Sequence, residues 1–392
     1  NTVGSGSVTI PMMKRTGYKG EFAGAVEAAA STGGQIMPPI MGAAAFLMAE
    51  MVGIPYARIA VKAILPAVLY FTGIFIMVHL EAKKEGLRGL RKDELPNFRK
   101  LVIQNGYLML PLILLIVMLA VNYKTMATCA MIATGASIVV SMFRKETRLT
   151  PSTFADALEN AARNTVGVGV ACATAGIIAG VVTMTGLGQV LITGVVKLAG
   201  SNLFIALVLT MIACIILGMG VPTTANYVIM ATTCAPILIA MGVPAIAAHM
   251  FVFYFGIVAD ITPPVALASY AGAAIAKSNP MKTGINSTRL AIAAFIVPYI
   301  FVLNPAMLFI ETTPRQVIQI LITSIAGMYA LSAALEGYMF RVLKWWQRIP
   351  AAAAGLLLID PSAVTDLIGV LVFAFLVVSQ HIQNKNSQTD KV

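Results

Sequence analysis

The stretch GIVADITPPV at residues 256–265 lies within a long apolar run, yet it carries a carboxylate (Asp260), a hydroxyl (Thr262) and two adjacent prolines (Pro263 and Pro264). Proline removes a backbone donor and its ring clashes with the preceding turn, so the carbonyls around residues 259–262 lose their helical partners and the segment breaks. In hydrocarbon such groups are tolerated only where they are buried in protein or line a polar cavity. A proline kink with a satisfied polar cap has the same local sequence, and a second occurrence decides between the two. Moving back 225 positions places Pro263-Pro264 on Pro38-Pro39, in GGQIMPPI at residues 33–40. With no gap between residues 1 and 55, the same shift sets Asn1 on Asn226, Pro11 on Pro236, Gly17 on Gly242, Ile36 on Ile261 and Pro55 on Pro280. Asn and paired Pro are scarce in apolar segments, so their coincidence at one offset marks two copies of one unit: an apolar arm, a turn and a broken helix.

The 392 residues are 58% hydrophobic and 11% charged, and the mean hydropathy is +0.86. Those values lie outside the range of soluble domains and fit a chain that crosses the lipid bilayer several times. The sequence begins at Asn1 with no Met and no signal peptide, which reads as a fragment lacking an upstream part. Cys129, Cys172, Cys214 and Cys234 sit in apolar stretches without metal-ligand spacing and read as small core residues. A formal net charge of +11 does not point to nucleic acid, because Lys and Arg lie in short loops with no interleaved aromatic patch. With three histidines, no His-Glu-x-x-His and no phosphate-binding glycine loop ending in Lys, the sequence carries no enzyme signature and no ATP-driven pump.

Residues 1–13 are too short to span a core that needs about 20 helical residues, and fit one arm of a re-entrant hairpin. Lys14, Arg15 and Lys19 mark a cytoplasmic turn, residues 21–52 form one broken segment, and residues 58–80 return. The loop at 81–100 holds Lys83, Lys84, Arg88, Arg91, Lys92, Arg99 and Lys100 and is cytoplasmic by the positive-inside rule. Spans follow at 106–121 and 126–143, with Arg144, Lys145 and Arg148 again inside. Residues 151–163 read as an interfacial helix or a solvated connector, and 165–185 lead outward. A second hairpin has arms at 203–217 and 223–240, then an uncharged outer turn at 241–244 and the second broken segment at 246–276, running inward to Lys277, Lys282 and Arg289. The broken segments therefore run in opposite directions, the inverted-repeat arrangement of secondary transporters. Residues 290–303 lead out and 316–335 form a further span, with Trp345 and Trp346 in an inner belt beside Arg341, Lys344 and Arg348. Residues 351–359 and 364–378 form a hairpin or two spans, and the polar tail at 384–392 is expected to lack structure. The organisation is thus residues 1–80, the end of the first repeat; 81–163, a loop, two spans and a connecting helix; 164–305, the second repeat; and 306–392, a membrane extension and tail.

A broken helix exposes N–H groups at one half-helix and carbonyls at the other, suited to an anion and a desolvated cation respectively. Gly218, Gly220, Thr223, Thr224 and Asn226 at the second hairpin tip bring oxygens within reach of Asp260 and Thr262 if the tip packs against the break. That set fits Na+ or a transferable proton; packing with internally satisfied polar groups is the other reading. In the first copy the matching residues are Asn1, Ser31, Thr32, Gly33, Gly34 and Gln35, whose hairpin tip falls before Asn1. For an anionic substrate the half-helix starts near Pro38, Pro39, Pro263 and Pro264, with Asn1, Ser31 and Thr32, are the candidates. Glu27 is a second acid deep in an apolar run, read either as an ion-coupling group or as one paired with a polar neighbour. His249 reads as a packing residue rather than a relay. No prosthetic group is expected, only a transported coupling ion, Na+ or H+.

The phrases VTIPMM (8–13), STGGQIMPPIMGAAAF (31–46), LGMGVPTTANYVI (217–229) and DITPPVALASYAGAAIA (260–276) resemble the large membrane subunit of TRAP transporters, in particular fused permeases of the TAXI subgroup. The likeness runs from residue 1 to about 305, and residues 335–366 are similar to the C-terminal extension of the fused proteins. It implies an all-α, elevator-type symporter of the bacterial inner membrane that takes an organic acid from a periplasmic substrate-binding protein and moves it inward with a cation. The family's cation sites at hairpin tips and helix breaks carry over to Gly218, Gly220, Thr223, Thr224, Asn226, Asp260 and Thr262, and to Gly33, Gly34, Gln35 and Pro38. A binding-protein-independent carboxylate symporter fits the same physics, and a membrane-embedded enzyme or assembly subunit with a polar cavity is the reading from another class.

Overall fold

The structure, a computed structural model, describes residues 2–89, 97–121, 123–143, 147–200, 202–359 and 363–389. Asn1, Arg91, Lys92, Arg144, Lys145 and the Cys172 side chain lie outside the described residues. Helix accounts for the regular structure: α1 (Thr2–Arg15), α2 (Gly20–Gly33), α3 (Ala43–Val52), α4 (Tyr56–Lys84), α5 (Phe98–Asn105), α6 (Leu110–Ala120), α7 (Met126–Ser141), α8 (Pro151–Met184), α9 (Leu187–Ala199) and α10 (Leu203–Gly218). Then come α11 (Thr223–Thr233), α12 (Ala235–Ala240), α13 (Ala245–Val258), α14 (Leu267–Ala276), α15 (Pro280–Leu290), α16 (Ile292–Leu303), α17 (Pro314–Glu336), α18 (Trp345–Leu357) and α19 (Ala363–Thr389). Among the described residues five helical runs are long and apolar enough to cross a membrane, or six if one bent pair counts as a span. The chain is a multi-pass, all-α membrane protein.

The 225-residue repeat is built into the backbone. Shifting α2 by that offset gives the bounds of α13, residue for residue. The turns before them are made by Gly17 at φ 106° and its counterpart Gly242 at φ 87°, a left-handed conformation that glycine adopts without a Cβ penalty. After each break a non-glycine residue also takes positive φ, Met41 (47°) in one copy and Ala266 (36°) in the other. Such conformations cost on the order of 1–3 kcal/mol and persist only where the surroundings impose them. Both proline pairs are joined by cis peptide bonds.

The copies interlock. α2 packs on α14, and α13 packs on α3, the reciprocal pairing that a two-fold relation between copies demands. A methyl on Gly20 would stand 3.2 Å from Ala276 O, and one on Gly272 2.6 Å from Gly24 O. The start of α2 therefore lies beside the end of α14, and the two run antiparallel, as inverted copies require. One continuous apolar core joins α2–α4 with α10–α13, α15 and α16, takes in Ile320 and Met328 of α17, and has Ala268 of α14 packed against it. The turn between α1 and α2 is clipped to the end of α4 by Lys19 and Glu85 (2.8 Å); their mutual hydrogen bond raises the Lys19 pKa and lowers that of Glu85.

Several expectations need correction. The interfacial segment and the outward leg are one 34-residue helix, α8, because nothing between residues 163 and 165 breaks the helical pattern. Helix α9, between Gly186 and Gly200, both in the left-handed region, had no place in the sequence reading. The polar tail continues α19 to Thr389 instead of lacking structure. The second hairpin's returning arm, Thr223–Ala240, is also long enough in itself to cross a membrane.

The extension is a compact addition to the site-bearing core. Thr313 and Gln316 form a capping box that starts α17, and Gly337 at φ 67° ends it. Arg348 donates to Ala334 O (2.6 Å) and Leu335 O (2.9 Å), and Arg289 to Leu335 O (3.1 Å), which satisfies the last carbonyls of α17 with positive charge. Buried Glu336 pairs with Arg289 at 3.2 Å and Lys84 at 3.7 Å. Helices α18 and α19 are antiparallel, since Gln380 bonds Gln347 near one end and a methyl on Gly369 would stand 2.8 Å from Leu358 Cγ near the other. At 13 residues α18 is only about 20 Å long, short of a core about 30 Å thick. The pair is therefore a hairpin alongside α17 rather than two spans.

Candidate functional site at the second hairpin tip

The tip between α10 and α11 meets the break after α13. A methyl on Gly218 would stand 2.8 Å from Asn226 Nδ2 and 2.9 Å from Ala259 Cβ, so only glycine lets the tip reach the break. Asn226 Nδ2 donates to Gly256 O at 2.9 Å, in the last turn of α13. Asn226 is 1% exposed, and its Oδ1 accepts no hydrogen bond from any described residue. A buried acceptor left unsatisfied costs about 1–3 kcal/mol, and an amide oxygen fixed by its own nitrogen is well placed to receive a ligand.

Beside this point opens a cleft of about 390 Å³. Asp260 lines it together with the tip (Gly220, Val221, Pro222), the start of α14 (Leu267, Ala268) and the start of α1 (Thr2, Val3). The cleft thus has walls from both copies. The first N–H groups of α14 lack intrahelical partners by geometry and end at the same place as the carboxylate. The volume suits a small organic molecule.

Gly220 and Asp260 line the cleft, while Gly218 and Asn226 meet the break at Ala259 and Gly256. Thr262 does not offer its proton, since Oγ1 donates to Val258 O at 2.8 Å. Thr223 and Thr224 occupy the first turn of α11, half-buried, and do not line the cleft. In the first copy the polar groups are largely satisfied internally. A methyl on Gly33 would lie 2.3 Å from Tyr70 Cε1, and Tyr70 donates to Ala29 O at 2.7 Å, so this glycine is a packing residue. Gln35 closes the loop, its N–H on Thr32 O (3.1 Å) and its carbonyl accepting from Gly42 N (2.8 Å); Gly34 is exposed. The carbonyls after the proline pairs are both capped by tyrosines, Pro39 by Tyr56 (2.8 Å) and Pro264 by Tyr270 (2.7 Å). Pro38 and Pro263 are half-buried within the two loops.

Glu27 is 6% exposed and accepts from Ser5 and Thr9 of α1 and from Ser31 of its own helix. It clamps α1 to α2. Glu27→Gln keeps the shape but loses the charge-assisted share of those bonds, so a stability loss of about 1–3 kcal/mol is expected, read as earlier thermal unfolding. Unchanged stability would mean that the charge is not what holds α1 to α2. His249 is buried and bonds Tyr227 at 2.8 Å. Among the described residues no three His, Cys, Asp or Glu side chains gather for a metal ion.

Sequence reasoning missed the carbonyl of Gly256 and the lining residues Thr2 and Val3 of α1, whereas the start of α14 is the half-helix start expected near Pro264. Ser5 and Thr9 were findable, because their i, i+4 spacing puts both hydroxyls on one helix face.

No curated protein matches the chain. The sequence profile of one family, described as "Tripartite ATP-independent periplasmic transporter, DctM component", matches residues 1–316, which takes in both broken helices, the second hairpin tip and the cleft. The chain therefore belongs to the DctM family, the permease component of tripartite ATP-independent periplasmic transporters.

Proposed function

We propose that this permease, of the TAXI type, moves a carboxylate inward across the bacterial inner membrane by symport with Na+ or H+, after delivery by a periplasmic substrate-binding protein. Family membership makes the chain a secondary transporter of organic acids and not an enzyme, and implies a substrate-binding protein as its partner. The single observation that carries the coupling is the orphaned Oδ1 of buried Asn226 where the tip meets the break, next to the cleft that holds Asp260. A cation held by Asn226 Oδ1 and the carbonyls of the tip and break, beside Asp260, offsets the cost of a desolvated carboxylate. The site-bearing helices share one core, whereas only 11% of the Phe98–Ala120 span is buried, against 50% or more of the other four. An elevator motion, in which that core slides as one body past α5–α8, needs this contrast.

The test is counterflow of organic acids into proteoliposomes holding the purified transporter with its binding protein, in Na+ or choline buffer and with or without a proton gradient. Uptake should require one of the two cations, and Asp260→Asn should weaken its apparent affinity by up to about a thousandfold, since two unit charges 4 Å apart interact by roughly 4 kcal/mol at an effective dielectric of 20. Unchanged cation dependence in Asp260→Asn at normal expression would sink the coupling claim. Uptake that persists without the binding protein would favour the binding-protein-independent symporter.

A further inference from the structure

A second polar cavity, of about 170 Å³, lies where the extension joins the permease core. Its oxygen-bearing lining comes from three places: Asn304 after α16; Gln316, Gln319, Thr323 and Ser324 on α17; and Asp366 near the start of α19. No Lys or Arg lines it. The α17 residues fall within its first three turns, the end that the charge pattern places outside. Gln319 Nε2 donates to Asp366 Oδ2 at 3.3 Å, which orients the carboxylate. Thr323 donates to Ile320 O at 3.3 Å, leaving its lone pairs to accept a cation. Ser324 is 1% exposed and lines the cavity. One carboxylate and several neutral oxygens, in a space that holds a few waters, form a coordination set for a hard monovalent cation.

We propose that this cavity binds Na+, at a site separate from the hairpin tip and built mainly by the C-terminal extension. Four of its six oxygen-bearing residues, Gln319, Thr323, Ser324 and Asp366, lie beyond the residues that match the family. The ion ties the tip of the α18–α19 hairpin to α17 and so couples the packing of the extension to external Na+.

Thermal unfolding of the purified transporter in NaCl against choline chloride tests it, because a ligand that binds only the folded state stabilises by mass action. In an Asn226→Leu background, which removes the orphaned oxygen of the tip, NaCl should still raise the unfolding temperature. Adding Asp366→Asn should abolish that rise, and adding Ser324→Ala instead should weaken the Na+ affinity about tenfold, the loss of one ligand to a charged group. No Na+ effect in the Asn226→Leu protein, or an equal effect after Asp366→Asn, overturns the site. So does a fall in stability with Asp366→Asn that is the same in both salts, which would leave Asp366 serving only the start of α19. Should Asn226→Leu fail to fold, radiolabelled Na+ binding to the otherwise unchanged protein decides: Asp366→Asn must reduce the stoichiometry by one ion, and an unchanged stoichiometry refutes the site. A tip that binds no Na+ would show as a stoichiometry of one that Asp366→Asn removes, so failure of the coupling proposal is distinguishable from failure of this one.

Discussion

On the proposed cation coupling, substrate affinity is expected to fall on the order of a thousandfold when the cation is withdrawn. Neither broken segment carries a Lys or Arg between residues 20 and 53 or between 242 and 276, and no basic side chain lines the cleft. A carboxylate entering it meets Asp260 and the start of α14. The helix start contributes about 0.3–1 kcal/mol, up to ~2 in a partly buried setting. Repulsion between two carboxylates 4 Å apart is roughly 4 kcal/mol at an effective dielectric of 20. The helix end alone therefore loses, and a cation placed beside Asp260 reverses the sign. Calorimetry of the purified transporter, titrated with substrate in the presence and absence of the coupling ion, measures the ratio directly. Equal affinities would mean that a basic group outside these elements holds the anion, and the cleft at Asp260 would not be its site.

Much of this was legible because bilayer constraints leave few ways to place polar residues. Paired prolines and an asparagine at one offset identified both breaks, and basic loops set their opposite directions. The antiparallel contact of Gly24 with Gly272 agrees with that reading. What could not be read was which polar groups would meet. Thr262 and Asp260 are two residues apart, yet one hydroxyl closes on its own helix while the carboxylate lines the cleft. Gly33 and Gly218 look alike in sequence, but the first makes room for the Tyr70 ring and the second for Asn226 and Ala259. A glycine's role depends on what packs over it, which is non-local information. The length of α8 was misjudged because charged residues at 156, 159 and 163 suggested an interfacial stop, whereas Arg163 pairs with Glu159 along one uninterrupted helix.

The extension illustrates the same limit. Nothing in the local sequence around Glu336 announces that it is buried against Arg289 and Lys84. A buried acid costs several kcal/mol unless paired, so the docking of α17 on α4 and α15 is specified by charges that come from segments more than 40 residues apart. The extension is thereby bound to α4 and α15, which pack on α2 and α14, and not to the sparsely buried α5–α7 unit.

Gly272→Ala is expected to cost at least about 3 kcal/mol, at the top of the range for overpacking a tight contact, and Gly24→Ala nearly as much. A methyl on Gly272 would stand 2.6 Å from Gly24 O and 3.2 Å from its carbonyl carbon, and one on Gly24 would stand 3.0 Å from the carbonyl of Gly272. Both obstacles are backbone, so no side chain can rotate away and the two helices must separate. The related crossing of α13 with α3 has His249 and Leu47 at the equivalent positions, so the close approach belongs to one of the two pairings only. Separating α2 from α14 also draws the start of α14 away from the rest of the cleft, and transport should fall with stability. Thermal unfolding in detergent reads the loss, with Gly135→Ala in α7 as control: its methyl meets nothing within 4 Å, and it should gain up to about 1 kcal/mol from helix propensity. The two alanines share one contact, so the double variant should cost little more than either single one. Additive losses would show that the two glycines act at separate places and that the antiparallel crossing is not what holds the two copies together.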